Sequence, residues 1–142
     1  MKIFLSHATK DRELAQKLAE RLGREGFAVW NAEEQIAPGD NWAKVIGKAL
    51  DESDLMVILL TPGAMESEFL RKDIEFAIST KKYEGRVFSV FVGPANKASG
   101  SVPWILLKLP YRQVESAQQL GRAVRQILHH SERIPALSPT NA

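Results

Sequence analysis

Two side chains four residues apart, Phe69 and Asp73, are the pair in this sequence best placed for chemistry. If the segment after Gly63 is a helix, they are i, i+4 neighbours on one flank. A ring and an acid stacked one turn apart can frame a pocket, the ring offering a face and the acid a charge. Ser6 and His7 end the first apolar run and would reach the same mouth. His7 there can contact a phosphate or cap the turn. Plain readings stand beside these. Asp73 can pair with Arg71 or Lys72 on an exposed face, Phe69 can pack in the core, and Trp30 and Trp42 can anchor the loop between them. Gly39 is most simply a turn glycine.

The elements that must hold these residues follow from the apolar pattern. Residues 55–60 (L-M-V-I-L-L) form an unbroken apolar run rich in branched side chains. This reads as a strand buried on both faces, as parallel strands are. Thr61-Pro62-Gly63 ends it, and Leu70, Ile74, Ala77 and Ile78 then recur at helical spacing on one face. A polar helix start therefore sits past the carboxyl end of the central strand, where open α/β sheets bind ligands.

Other segments fit the same plan. Residues 2–5 form a first strand, and Thr9 or Asp11 is placed to cap a helix carrying Leu14, Leu18 and Leu22. Gly23 or Gly26 ends that helix, and residues 27–30 (F-A-V-W) form a second strand. The connection 31–41 is long for a βα loop, where about 2–6 residues is usual. Asp40 or Asn41 caps a helix whose inner face is Trp42, Val45, Ile46, Ala49 and Leu50. Residues 86–92 form a fourth strand, 111–114 a short fifth, and Leu120, Ala123, Val124, Ile127 and Leu128 a last amphipathic helix. Pro103 to Leu107 fits either a short helical turn or irregular core. Strands alternating with helices predict a flavodoxin-like, doubly wound five-stranded parallel sheet of order 2-1-3-4-5, with helices on both faces. One domain over residues 1–132 and a flexible tail over 133–142 complete the expectation.

Composition sets bounds. The chain has 142 residues, 44% hydrophobic and 25% charged, enough for one domain with a real core. Its 19 basic and 17 acidic residues leave a net charge of +2, and no basic run with interleaved aromatics points to nucleic acid. The absence of cysteine excludes disulfides, thiolate metal sites and cysteine nucleophiles. No paired-histidine spacing suggests a metal, and His129-His130 suit a helix carboxyl end. No phosphate-binding glycine motif occurs. No apolar stretch nears the ~20 residues that span a bilayer, and no signal-peptide layout opens the chain. The expected compartment is the cytoplasm, with neither membrane nor nucleic acid as partner.

Taken together, these segments resemble the TIR domain family, named for Toll and interleukin receptors. I-F-L-S-H-A-T-K-D (residues 3–11) is similar to its opening strand and turn. F-A-V-W followed by Pro38-Gly39-Asp40 and Trp42 resembles its second strand and the "BB loop". Ser53-Asp54, V-I-L-L-T-P and Ser67-Glu68-Phe69 resemble its third strand and the following helix, and residues 87–92 with Pro103-Trp104 match later boxes more weakly. The likeness covers essentially residues 1–130 and is closest to bacterial-type members.

The resemblance implies one of two activities, and fold does not choose between them. Some members bind NAD and hydrolyse it at the nicotinamide–ribose bond; others are non-catalytic adaptors acting through homotypic TIR–TIR contacts. For the first, it implies Asp73 as the catalytic carboxylate and Ser6, His7, Phe69, Trp30, Asn31 and Gly39 as substrate-binding positions. NAD would be substrate rather than cofactor, and no metal is implied. For contacts with other TIR domains, it implies the loop containing Ile36, Pro38, Gly39 and Asp40.

The sequence departs from the enzymes at one point. They carry glutamate four residues after the aromatic; this chain carries Asp73. Aspartate keeps the charge but is shorter by one methylene, about 1.5 Å. A ~1 Å misplacement at a reacting centre costs on the order of a hundredfold in rate. Glu75 lies about 200° around the helix and cannot substitute. Glu66 and Glu68 suit the helix start, while Glu33 and Glu34 reach the pocket only if the long loop folds over it. A phosphate-accepting response regulator is rejected, since its acidic positions here hold Ser6-His7 and Thr61-Pro62.

Overall fold

The computed structural model describes residues 1–31, 39, 41–93 and 103–134. Five strands form one sheet: β1 (Lys2–Ser6), β2 (Ala28–Asn31), β3 (Leu55–Leu60), β4 (Val87–Val92) and β5 (Tyr111–Val114). Their order is β2-β1-β3-β4-β5, every pair parallel. Among the described residues, four α-helices connect or follow them: α1 (Arg12–Arg24), α2 (Trp42–Glu52), α3 (Glu68–Ser79) and α4 (Leu120–Glu132). The expected flavodoxin-like architecture is therefore present.

Alternation along the strands divides the core in two. Ile3, Leu5, Leu55, Val57, Leu59, Phe88 and Val90 face α1 and α4. Phe4, Met56, Ile58, Leu60, Val87 and Phe91 face α2 and α3. All six residues of β3 are buried, because a central parallel strand is covered on both sides. Ile134, placed in the tail by the sequence reading, is 8% exposed and packs with the first cluster; residues 135–142 lie outside the described ones.

Local chemistry sets the element ends. The Asn41 side chain caps α2 by accepting from the Lys44 N–H at 3.2 Å. Ser67 caps α3 by accepting from Leu70 at 3.3 Å. Gly63, at φ +83°, supplies the left-handed turn between β3 and that helix. Asp11 does not cap α1 through its side chain. Its carboxylate instead accepts from the Thr61 hydroxyl at 2.7 Å, because a partner on the neighbouring strand's end competes for it. Residues 104–107 form a single 3-10 turn, with Leu106 buried and Trp104 exposed. Tyr83, in the turn between α3 and β4, is buried and donates to the Leu50 carbonyl.

The face of α3 differs from expectation in one respect that matters for the site. Leu70, Ile74 and Ala77 are buried as predicted, but Ile78 is 44% exposed. The buried stripe takes in Asp73 instead, at 5% exposure. The helix is thus turned toward the carboxyl end of β1, and an acid occupies a position that packing alone would fill with an apolar residue.

Candidate active site

The chain leaves β1 and β3 on opposite sides of the sheet, so their carboxyl ends mark the topological switch point. Ser6 is the last residue of β1, on the face turned to α2 and α3. Its hydroxyl donates to Asp73 Oδ2 at 2.6 Å, in a buried bond between strand and helix. His7 follows, with Nδ1 2.8 Å from the Ala8 carbonyl and Nε2 2.9 Å from Asn31 Oδ1. Asn31 ends β2, which lies beside β1 in register Leu5 to Asn31. Three elements thus bring Ser6, His7, Asn31 and Asp73 together, all of them buried.

The charge state follows from this burial. Loss of solvent pushes the Asp73 carboxyl up from the usual 3.8 to about 6, while the Ser6 hydrogen bond and the positive charge of His7 pull it back. A carboxyl that changes charge near neutral pH can serve as an electrostatic partner or exchange a proton. Among the described residues, no group of three or more histidine and acidic side chains is arranged to hold a metal.

A second network lies at the carboxyl ends of the same two strands. Lys10 Nζ donates to Thr61 Oγ1 at 2.9 Å and to the Pro62 carbonyl at 2.7 Å. With the Thr61–Asp11 bond, this ties the 3-10 turn that follows β1 to the end of β3. On the far side, Gly93 at φ +123° lies so close to Pro62 that an added Cβ would be 3.1 Å from its Cδ. The sequence reading did not single out this brace. Its only sequence signal is Asp11 at the end of the opening motif, where a helix cap is the nearer reading.

The remaining predicted residues are placed differently. Trp30 stacks on Phe4, centroids 5.0 Å apart at 21°, and packs half-buried against the core on the α2/α3 face. Phe69 is 51% exposed on the first turn of α3, one turn from Asp73 but outside its buried cluster. Gly39 is an exposed turn glycine at φ +91°. Ile36, Pro38 and Asp40 of the expected interaction loop lie outside the described residues, as do Glu33 and Glu34. Trp42 begins α2, and its side chain is likewise outside them. Glu66, Glu68 and Glu75 are exposed. Lys72 pairs with Glu68 at 3.3 Å and Arg71 donates to the Met65 carbonyl at 2.6 Å; no ion pair to Asp73 is among these contacts.

A family profile described as the TIR domain matches residues 3–127. The chain belongs to the TIR domain family. Among curated proteins it is 28% identical over 72 residues to a 2' cyclic ADP-D-ribose synthase of Bacteroides thetaiotaomicron, covering 50% of this chain and 25% of that protein. It is 30% identical over 74 residues to an NAD(+) hydrolase of Paracoccus denitrificans, covering 51% and 25%. A probable 2' cyclic ADP-D-ribose synthase of Brachypodium distachyon is 26% identical over 82 residues, covering 56% and 37%. The matched segments thus span only a quarter to about a third of these relatives' lengths. Among solved structures, a metazoan TIR-STING receptor from C. gigas in complex with 2',3'-cGAMP superposes with a TM-score of 0.72 at 18% identity. It covers 89% of this chain and 38% of that one. That likeness is one of fold.

Proposed function

We propose that this TIR domain binds NAD and cleaves its nicotinamide–ribose bond in a signalling or defence role, with Asp73 as the catalytic carboxylate. The observation that carries this reading is the buried Ser6–Asp73 contact at the carboxyl end of β1. Relatives named as an NAD(+) hydrolase and as cyclic ADP-ribose synthases support the substrate class. The chemistry suits a carboxylate. As the glycosidic C–N bond breaks, its electron pair moves to the nicotinamide nitrogen and positive charge grows on the ribose. A negative group fixed nearby stabilises that charge as it develops. Capture by water releases a proton and gives ADP-ribose; capture by a hydroxyl of the same molecule gives a cyclic product.

On this reading Ser6 holds the carboxylate in place. Phe69, at the open side of α3, offers a ring face to a planar base, and Trp30, Asn31 and Gly39 line the approach. Incubating the purified domain with NAD at high protein concentration and assaying free nicotinamide tests it. Nicotinamide release that disappears in Asp73→Ala supports the reading; no release overturns it.

One observation favours a second reading. Asp73 is shorter than the family's glutamate, and its carboxylate is already engaged by Ser6 in a buried position. A non-catalytic adaptor working through homotypic TIR contacts, with Ile36, Pro38, Gly39 and Asp40 as the contact loop, would have this arrangement. It requires Asp73→Ala to leave the biological effect intact while Pro38→Ala or Gly39→Ala impairs self-association. Either reading suits a cytoplasmic protein, and no helix among the described residues is long and apolar enough to cross a membrane.

A further inference from the structure

Helices α1 and α4 cover the side of the sheet opposite Asp73, and two adjoining hollows lie between them. One, of about 340 Å³, takes in Lys17, Arg21, Arg24 and Glu20. The other, of about 330 Å³, takes in Arg21, Arg24, Arg125 and Glu25. Arg21 and Arg24 thus belong to both. Lys17, Arg21 and Arg24 fall at i, i+4 and i+7 of α1, along one flank roughly 10 Å long at 1.5 Å per residue. Arg125 lies one turn beyond Gly121 on α4. At Gly121 an added Cβ would be 3.2 Å from Nη1 of Arg21, so the absence of a side chain there lets the guanidinium lie against α4.

These cations are exposed. The ion pairs among the described residues lie elsewhere, at Lys2–Glu52, Lys10–Asp11, Lys48–Glu52 and Lys72–Glu68. Glu20 and Glu25 stand one turn from Arg24 and Arg21 and pair with neither. Like charges at i, i+4 cost a helix stability, so Lys17 beside Arg21 is a repulsion that a bound anion would relieve.

We propose that the α1–α4 groove binds a compact anion carrying several linked phosphates, with Arg21 and Arg24 clamping it from both hollows and Lys17 and Arg125 at its ends. The proposal does not rest on the NAD-cleaving reading. Guanidinium forks match phosphate oxygens in pairs. Four cations against two carboxylates leave the lining with an excess of positive charge, concentrated where the hollows meet. A ligand reaching both hollows with dense charge uses all four; a single-centre anion cannot. No aromatic ring lines either hollow, so a base would find no stacking surface. Glu20 and Glu25 interleave with the cations, unlike the continuous basic track that a nucleic-acid backbone follows.

Calorimetric titration and thermal unfolding of the intact domain with sodium tripolyphosphate, at low ionic strength and without divalent cations, test this. The variants are Arg21→Gln/Arg24→Gln, Arg125→Gln and Lys48→Gln. Expected is a saturable rise of several degrees in the wild-type Tm. Binding should weaken by about tenfold or more in the double variant, several-fold in Arg125→Gln, and not at all in Lys48→Gln, whose cation is paired with Glu52. Sodium sulfate at matched ionic strength should not reproduce the rise; if it does, the effect is screening and the proposal falls. A nucleoside triphosphate should bind no better than bare tripolyphosphate; about tenfold tighter binding would mean that a base is recognised and would overturn it. Tighter binding of polyglutamate or duplex DNA, lost in the double variant, would assign the groove to a macromolecule and overturn it too. So would tripolyphosphate binding undiminished in both arginine variants. If the double variant does not fold, Arg125→Gln decides.

Discussion

Ser6 and Asp73 are 67 positions apart in sequence, and 2.6 Å separates the hydroxyl of one from the carboxylate of the other. The bond joins the last residue of β1 to the second turn of α3, so both must be in register before the pair exists. Among the described residues it is the hydrogen bond by which the sheet grips this acid.

Burial of that acid makes stability depend on pH in a defined direction. The folded Asp73 carboxyl titrates at about 6 rather than 3.8, so between roughly pH 4 and pH 6 the native state keeps a proton that the unfolded chain has released. This contribution to stability therefore falls as pH rises through that window and stays lost above it. The full penalty is on the order of 3 kcal/mol, at 1.36 kcal/mol per unit. Asp73→Asn removes the charge and keeps an acceptor for Ser6. Urea unfolding should find the variant more stable than wild type at pH 7.5 by up to that amount, and no more stable at pH 4.

Lengthening the acid tests reach against charge. Asp73→Glu restores the family's glutamate and extends the carboxylate by about 1.5 Å. Its extra methylene enters a packed site and should cost about 1–3 kcal/mol in stability. If reach limits cleavage, nicotinamide release should rise by an order of magnitude or more despite that cost. Equal or lower release would mean that reach is not what limits cleavage.

The close approach of Pro62 and Gly93 predicts an intolerance far from the acid. Gly93 sits at φ +123°, and a methyl group there would meet Pro62 Cδ at 3.1 Å. Gly93→Ala should destabilise the domain by about 1–3 kcal/mol, strain and crowding adding. Thermal unfolding would register this as a fall of several degrees in Tm. A Tm within one degree of wild type would refute it.

Ser89 offers the opposite case. It is fully buried in β4, and its hydroxyl has no hydrogen-bond partner among the described residues. Such a group carries a desolvation cost without a return. Ser89→Ala should stabilise the fold by about 1 kcal/mol, read as a higher urea midpoint at unchanged m-value.

Much of this could be read in advance because the strong signals are local. The apolar run of β3, the leucines of α1 and the turn at Gly63 specify the sheet and its order by patterning alone. The grouping of these residues was legible in part. Asp73 falls one turn into the helix after β3, and Ser6, His7 and Asn31 lie at the ends of strands that the topology makes neighbours. Local spacing could not reveal that Asp11 turns to Thr61 rather than to its own helix, since their positions differ by 50 residues. Nor could it reveal that Ile78 is exposed while Asp73 is buried. The two are five residues apart, and the rotation of α3 against the sheet decides between them.

The tie from Lys10 and Asp11 to Thr61 also limits how the molecule can adapt. With the turns that follow two neighbouring strands cross-linked, the seat under Ser6 behaves as an anvil. A guest that needs more room, or an acid that needs more length, must be accommodated by travel of the α3 side. Evolution of a longer or shorter carboxylate would then be recorded in the turn around Gly63 and Ser67, and the strands would hardly change.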